Sequence, residues 1–235
     1  FVPLSQLWDL PFIFRDISHA HAVLDGEIGQ QVQESYLDVG IRHLAYNDGG
    51  FRYFTNDVRP IKTMADIEGM KIRVMESEIM IDSVNAFGAS AVPISFGELY
   101  SSLQQGVVDG QENPMSQIYS QRFYEVQKYL SLSSHFYYPR QYIASENWWQ
   151  GLSEEHQDII AKASKEASDI QRAALVIYEQ EMRDVLEDEG MKINEVDKSD
   201  FIRVAKEVIY PKSYAAIGNG DAAKAEKLIQ RILNT

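Results

Sequence analysis

The segment from Ser153 to Glu189 sets the first limit on what this chain can become. Ser153 is positioned as a helix cap, and Glu154 and Glu155 fall in the first turn, where the helix dipole favours acids. Ile159, Ile160, Ala163, Ala167, Ile170, Ala174 and Ile177 then recur at helical spacing as one apolar stripe. A helix unbroken to Glu189 spans roughly 55 Å at about 1.5 Å per residue. That is longer than a compact small domain needs. Such a helix either bridges two lobes or kinks between them.

The rest of the chain alternates strand and helix. Asp16 to Ser18 offers a cap for a helix carrying Ala20, Val23 and Leu24, and a second helix is expected from Glu27 to Val39, stopping at Gly40. Ile41 to Tyr46 and Phe51 to Thr55 are expected as strands on either side of a turn at Asn47-Asp48-Gly49-Gly50. Lys71–Met75, Ala91–Ile94 and Val107–Asp109 are expected strands, separated by helices at Ser77–Phe87 and Phe96–Gln105, with Pro114 opening another helix. Leu130–Ser134, Gln141–Ala144 and Gly190–Ile193 are three further expected strands, and helices near 197–217 and 221–233 close the chain. This alternation with short links predicts an α/β architecture. No Pro/Ser-rich linker divides it, so a two-domain arrangement requires several crossings.

Charge and composition remove whole classes of function. Among 235 residues, 22 Lys and Arg face 35 Asp and Glu, a net charge of −13 that repels nucleic acid and anionic lipid. No run is long and apolar enough for a membrane helix, so direct membrane insertion is not expected. With no cysteine, disulfide frameworks, thiolate zinc sites and cysteine nucleophiles fall together. His19, His21, His43, His135 and His156 stand in no metal-ligand spacing, and neither a Gly-x-Ser-x-Gly elbow nor a glycine-rich phosphate loop occurs. An enzyme is not expected, nor a cofactor or metal.

A site for a small anion in so acidic a protein has to be local, made from a few cations held out of water. Two arginines qualify. Arg52 follows a Gly-Gly pair on an expected strand, and Arg73 lies in the apolar strand Met70-Lys71-Ile72-Arg73-Val74. A guanidinium there is costly unless paired, and its planar fork suits a carboxylate. Each could equally pair with a structural acid such as Glu76, Glu98 or Glu112, or sit on a solvated face. Phe96 follows the strand at Pro93-Ile94 and suits an apolar wall, or staples the start of the next helix. Asn113 ends Val107-Val108-Asp109-Gly110-Gln111-Glu112, where its amide suits a ligand or caps the helix after it.

These segments together resemble a known family. Gly69-Met70-Lys71-Ile72-Arg73-Val74, Phe87-Gly88-Ala89-Ser90, Phe96-Gly97-Glu98-Leu99-Tyr100, Leu103 through Pro114 and Phe123 through Leu130 occur in order. The set is similar to the substrate-binding subunits of TRAP (tripartite ATP-independent periplasmic) transporters, and the likeness covers essentially the whole chain.

The resemblance implies a two-lobed periplasmic binding protein with a long helix crossing both lobes. Residues 1–49 and 139–178 are expected in lobe I, and 50–138 and 179–235 in lobe II. It implies a cleft that closes on a small carboxylate, delivery to two membrane subunits, and a periplasmic location. By position, Arg73 matches the family's carboxylate clamp, Arg52 a second cation, Phe96 a ligand-packing ring and Asn113 a hydrogen-bonding amide. Glu112 and His135 match positions that hold Arg52. Met75, Glu76 and Ser77 depart from the family's usual residues in a segment that shapes the pocket, with Glu76 open either to ligand contact or to neutralising Arg52. The expected ligand is a C4-dicarboxylate, a uronate or another small hydroxy or keto acid. A zwitterion such as ectoine, and a chemosensory rather than a transport role, are the alternatives. Family members usually carry a further N-terminal stretch before the position of Phe1, so the natural product is expected to be longer.

Overall fold

The computed structural model describes residues 2–235. Six strands form one mixed sheet in the order β3-β2-β4-β1-β5-β6: β1 (Ile41–Asn56), β2 (Lys71–Val74), β3 (Ser90–Pro93), β4 (Gly110–Asn113), β5 (Tyr129–Ser145) and β6 (Lys192–Glu195). Helices α1 (Ile17–Asp25) and α2 (Glu27–Ser35) precede the sheet. α3 (Glu78–Ala86), α4 (Leu99–Gln104), α5 (Met115–Ser120) and α6 (Glu146–Gln150) connect its strands. α7 (Glu154–Asp188), α8 (Ser199–Val204), α9 (Tyr210–Ile217) and α10 (Ala222–Leu233) complete the chain. The expected α/β class holds.

β1 and β5 are the spine. They run antiparallel from Ile41 opposite Ser145 to Asn56 opposite Tyr129. Two pairs of expected strands are thus two long strands, and Asn47-Asp48-Gly49-Gly50 is not a turn. The reason lies in packing. Asp48 is fully buried, accepting hydrogen bonds from the Tyr137 hydroxyl and from His21 Nε2 at 2.7 Å. A Cβ on Gly49 would come within 2.5 Å of the Tyr138 carbonyl oxygen, and Gly50 sits at φ +95°. The two glycines therefore serve a β-bulge, where the register shifts between Asp48 and Phe51.

The expected strand at Val107–Asp109 also moves. The ladder uses the polar run Gly110–Asn113, which pairs antiparallel with Tyr53–Asn56 and is wholly buried. Polar residues can occupy this place because each finds a partner: Gln111 Nε2, for one, donates to Thr55 Oγ1 at 2.9 Å.

α7 is one unbroken helix of 35 residues, with the Ser153 hydroxyl accepting from the His156 backbone N–H. Its apolar stripe, however, faces outward: Ile170 is 65% exposed, and Ile159 and Ile177 are similarly open. The inner face is polar near the bulge, where Ser168 donates to the Tyr46 carbonyl and Gln171 bonds both the N–H and the C=O of Asp48. Met182 and Leu186 bury further along. Glu179 accepts from the Met115 and Ser116 N–H groups at the start of α5. Burial raises its pKa above the ordinary carboxylate value.

Three apolar cores result. One joins residues between Val2 and Tyr46 to Ala205, Ile209, Tyr210 and the inner face of α10. The last 30 residues, expected with 50–138, thus pack on the N-terminal segment. A second core lies under β2 and α3, and a third joins α4, α5 and β5 to Met182 and Leu186.

Candidate functional site

β2 is flanked by β3 and β4, both parallel to it, so Ile72, Arg73 and Val74 are buried on both sides of the sheet. Parallel strands gather ligand sites at their carboxyl ends, and Arg73 is the penultimate residue of β2. Only 2% of Arg73 is exposed. Its Nε donates to the Ile94 carbonyl at 2.8 Å, while Nη1 is buried with no hydrogen-bond partner among the described residues. Burial lowers its pKa from the ordinary arginine value, with the charges of Glu112 and Glu76 opposing that change. The Phe96 ring lies 5.9 Å from Arg73 Cζ, edge-on to Phe123, and is 42% exposed. It forms a lip over the guanidinium.

Arg52 sits equally deep and is satisfied. Its Nε donates to Glu112 Oε2, and Nη2 donates to Glu112 Oε1 at 2.8 Å and to the Glu112 carbonyl at 2.7 Å. The Tyr138 ring lies 5.5 Å from its Cζ. Glu112 therefore holds Arg52.

His135 does not hold Arg52. Its Nδ1 pairs with Ser133 Oγ at 2.7 Å, and its ring stacks on Phe54 at 3.8 Å. Its Nε2 stands 3.8 Å from Glu112 Oε2, beyond hydrogen-bond reach, and has no partner among the described residues. Burial, with Arg52 adding repulsion, pushes its pKa well below the usual histidine value, so the ring is neutral. Sequence position placed it beside the pair; a fully dry pocket keeps it from joining as a cation.

Asn113 is buried, and Nδ2 donates to Gln111 Oε1 on the same strand face. It is not the cap of α5, because Pro114 occupies that position without a side-chain bond. Glu76 is exposed and makes no hydrogen bond among the described residues; its charge acts on Arg73, whereas Glu112 neutralises Arg52. Met75 packs partly on the second core. Ser77 Oγ donates to Asp9 Oδ2 at 2.9 Å.

Asp9 was missed. It ends the 3-10 turn Pro3–Asp9, whose Leu4, Leu7 and Trp8 bury in the first core. Burial raises its pKa, while the Ser77 hydrogen bond and the Arg52 charge lower it. One signal was available: an acid between Leu7-Trp8 and Leu10-Pro11 is a charge inside an apolar run.

The assembled groups are two buried cations, one of them open-ended, a ring over the open one, and a desolvated acid nearby. That arrangement offers an anion a charge of opposite sign and an open N–H donor. Among the described residues, no group of three or more His, Asp or Glu is placed to hold a metal ion, and no helix is long and apolar enough to cross a membrane.

Comparison with known proteins agrees with that chemistry. The profile of the bacterial extracellular solute-binding proteins, family 7, matches residues 1–216. The 2,3-diketo-L-gulonate-binding periplasmic protein of Escherichia coli (strain K12) is 37% identical over 200 residues, covering 85% of this chain and 61% of that protein. This chain thus spans about three fifths of that relative's length. The sialic acid-binding periplasmic protein of Vibrio cholerae is 32% identical over 224 residues, covering 95% of this chain and 69% of its own. Among solved structures, a TRAP periplasmic solute-binding protein from Sulfitobacter sp. NAS-14.1 with bound β-D-galacturonate superposes with a TM-score of 0.93 at 34% identity. The match covers 100% of this chain and 76% of that one. A second, from Chromohalobacter salexigens with bound D-glucuronate, gives 0.94 at 32% identity, covering 99% and 76%.

Proposed function

The chain belongs to the bacterial extracellular solute-binding proteins of family 7, and on that premise we propose that it captures a small organic acid for a TRAP transporter. The unpartnered Nη1 of Arg73 carries this reading. A buried guanidinium N–H without an acceptor is expensive, and a ligand carboxylate supplies the acceptor together with the opposite charge. Phe96 packs on the bound acid, and the Asn113 amide, with one of its two N–H groups engaged by Gln111, donates the other. Arg52, locked on Glu112 and neutralised by it, is not a direct clamp.

The cleft lies between a lobe built on 1–49 and 139–178 and one built on 50–138 and the chain after 179, with the helices beyond 205 packed back on the first. Closure removes water and strengthens the ion pair. The occupied protein then delivers its acid, unchanged, to membrane subunits from the periplasmic side. Relatives named for or crystallised with 2,3-diketo-L-gulonate, sialic acid, galacturonate and glucuronate support an acid of this class.

Calorimetric titration of D-galacturonate and D-glucuronate into wild type and Arg73→Ala tests the clamp. Removing one partner of a buried charge pair costs about 2–5 kcal/mol, a loss of about 30-fold to several thousand-fold in affinity. Arg73→Ala binding as tightly as wild type would take Arg73 out of the site.

A further inference from the structure

α7 buries Ser168, Arg172, Met182 and Leu186 on its inner side, and its outer surface is itself divided. On one flank the charges pair within the helix, Lys162 Nζ with Asp158 Oδ2 at 2.5 Å and Lys165 Nζ with Asp169 Oδ1 at 2.7 Å. On the other flank Ile160, Ala163, Ala167, Ile170, Ala174 and Ile177 recur at alternating steps of three and four residues. That is the spacing with which two helices pack side by side. Ile160 is half-buried and the rest are exposed. An apolar hollow of about 450 Å³ lies along the second half of the flank, walled in part by Ala174, Leu175, Ile177 and Tyr178. The stripe runs for roughly 25 Å at about 1.5 Å per residue, and continuous exposed apolar surface marks a contact face.

We propose that this flank of α7 docks a second copy of the chain, as an antiparallel helix pair about a two-fold axis. The stripe is complementary to its own reverse, as such an isologous contact requires. Counted outward from the point between Ser168 and Asp169, Ala167 opposes Ile170, small Ala163 opposes small Ala174, and large Ile160 opposes large Ile177. The opposed alanines let the two backbones approach, and Ile160 of one copy reaches the hollow beside Ile177 of the other. At the ends His156 opposes Glu181, so that acid meets an imidazole rather than another carboxylate. The charge of −13 on each copy resists the encounter at long range. Two faces of this length bury on the order of 800 Å² in total, against about 1,200–2,000 Å² for a stable interface. The pair is therefore weak, with an expected Kd on the order of 100 µM. Salt tightens it, because salt screens the repulsion and spares the apolar contact.

Sedimentation velocity of the full-length protein, with any residues that precede Phe1, tests this over about 5–500 µM at about 0.05 and 0.5 M NaCl. The mass is expected to rise toward that of a dimer with concentration, and further at the higher salt. Ile170→Lys and Ile177→Lys should each raise the Kd at least about tenfold without lowering the melting temperature, since both side chains are exposed. Asp169→Asn, on the charged flank, should leave the dimer in place. The chain has no cysteine, so crosslinking reads the register directly. Ala163→Cys mixed with Ala174→Cys should form a mixed disulfide, whereas either alone sits about 16 Å out of register with its own copy, too far to bridge. A monomer at every concentration overturns the proposal, including one whose stripe is covered by earlier residues of its own chain. So does a dimer indifferent to Ile170→Lys, or self-crosslinking as efficient as mixed crosslinking. A monomer that floats with phosphatidylcholine vesicles through this stripe would assign it to a lipid surface instead.

Discussion

Arg52 and Arg73 are almost equally buried, at 1% and 2% exposure, yet they hold opposite kinds of structure. Arg52 closes on Glu112 through two side-chain bonds and one to its backbone carbonyl. Arg73 spends one N–H on the Ile94 carbonyl and leaves another in the dark without an acceptor. Burial therefore does not distinguish a binding arginine from a structural one. The unsatisfied donor does, because native interiors rarely leave one. On the proposed reading, the protein keeps one cation for its own fold and the other for its ligand.

Glu112→Ala tests this division most severely. It strands Arg52 as an uncompensated buried charge, which costs about 3–5 kcal/mol. Urea denaturation should show that loss, whereas Arg73→Ala should cost less, since it gives up only the Arg73 hydrogen bond to the Ile94 carbonyl. Equal destabilisation by the two variants would erase the distinction between the arginines.

His135 gives a smaller effect with a definite sign. Its folded pKa lies well below the usual 6.5, so the unfolded chain binds a proton that the folded chain refuses. The stability contributed by neutral His135 is complete above about pH 6.5 and is lost as pH falls toward the folded pKa, by about 1.4 kcal/mol for each tenfold rise in proton concentration across that window. Wild type should therefore lose stability between pH 7 and 5 more steeply than His135→Gln, with other groups cancelling in the difference. Parallel curves would mean that the Arg52 side is wetter than the geometry indicates.

How much of this was legible in the sequence follows from the same contrast. Arg73 stood out as a candidate because an arginine between Ile72 and Val74 is costly unless paired, and the family likeness suggested a role for it. The long helix was readable from its cap and length. Its orientation was not: Ile159, Ile170 and Ile177 mark a stripe, but periodicity does not reveal which face meets β1, and here hydrogen bonds from Ser168 and Gln171 decided it. Gly49-Gly50 misled for a related reason. Glycine reports a special backbone, and only the burial of Asp48 shows that a bulge rather than a hairpin is required. Asp9 escaped because its partner Ser77 lies 68 residues away, a distance no local pattern crosses.

The two rings over the two arginines give the finest test. Phe96 lies 5.9 Å from Arg73 Cζ and Tyr138 5.5 Å from Arg52 Cζ, similar geometries over different cations. An exposed cation–π contact contributes about 0.5–1 kcal/mol. Phe96→Ala should therefore weaken acid binding about two- to fivefold with little change in melting temperature, because its cation is completed only by ligand. If Phe96 instead staples the start of α4, the substitution lowers the melting temperature and leaves affinity alone. Tyr138→Ala, over the closed arginine, should show that second pattern through its contact with Arg52. The pair separates the cations without touching either guanidinium: the ring over the open one reports in affinity, the ring over the closed one in stability.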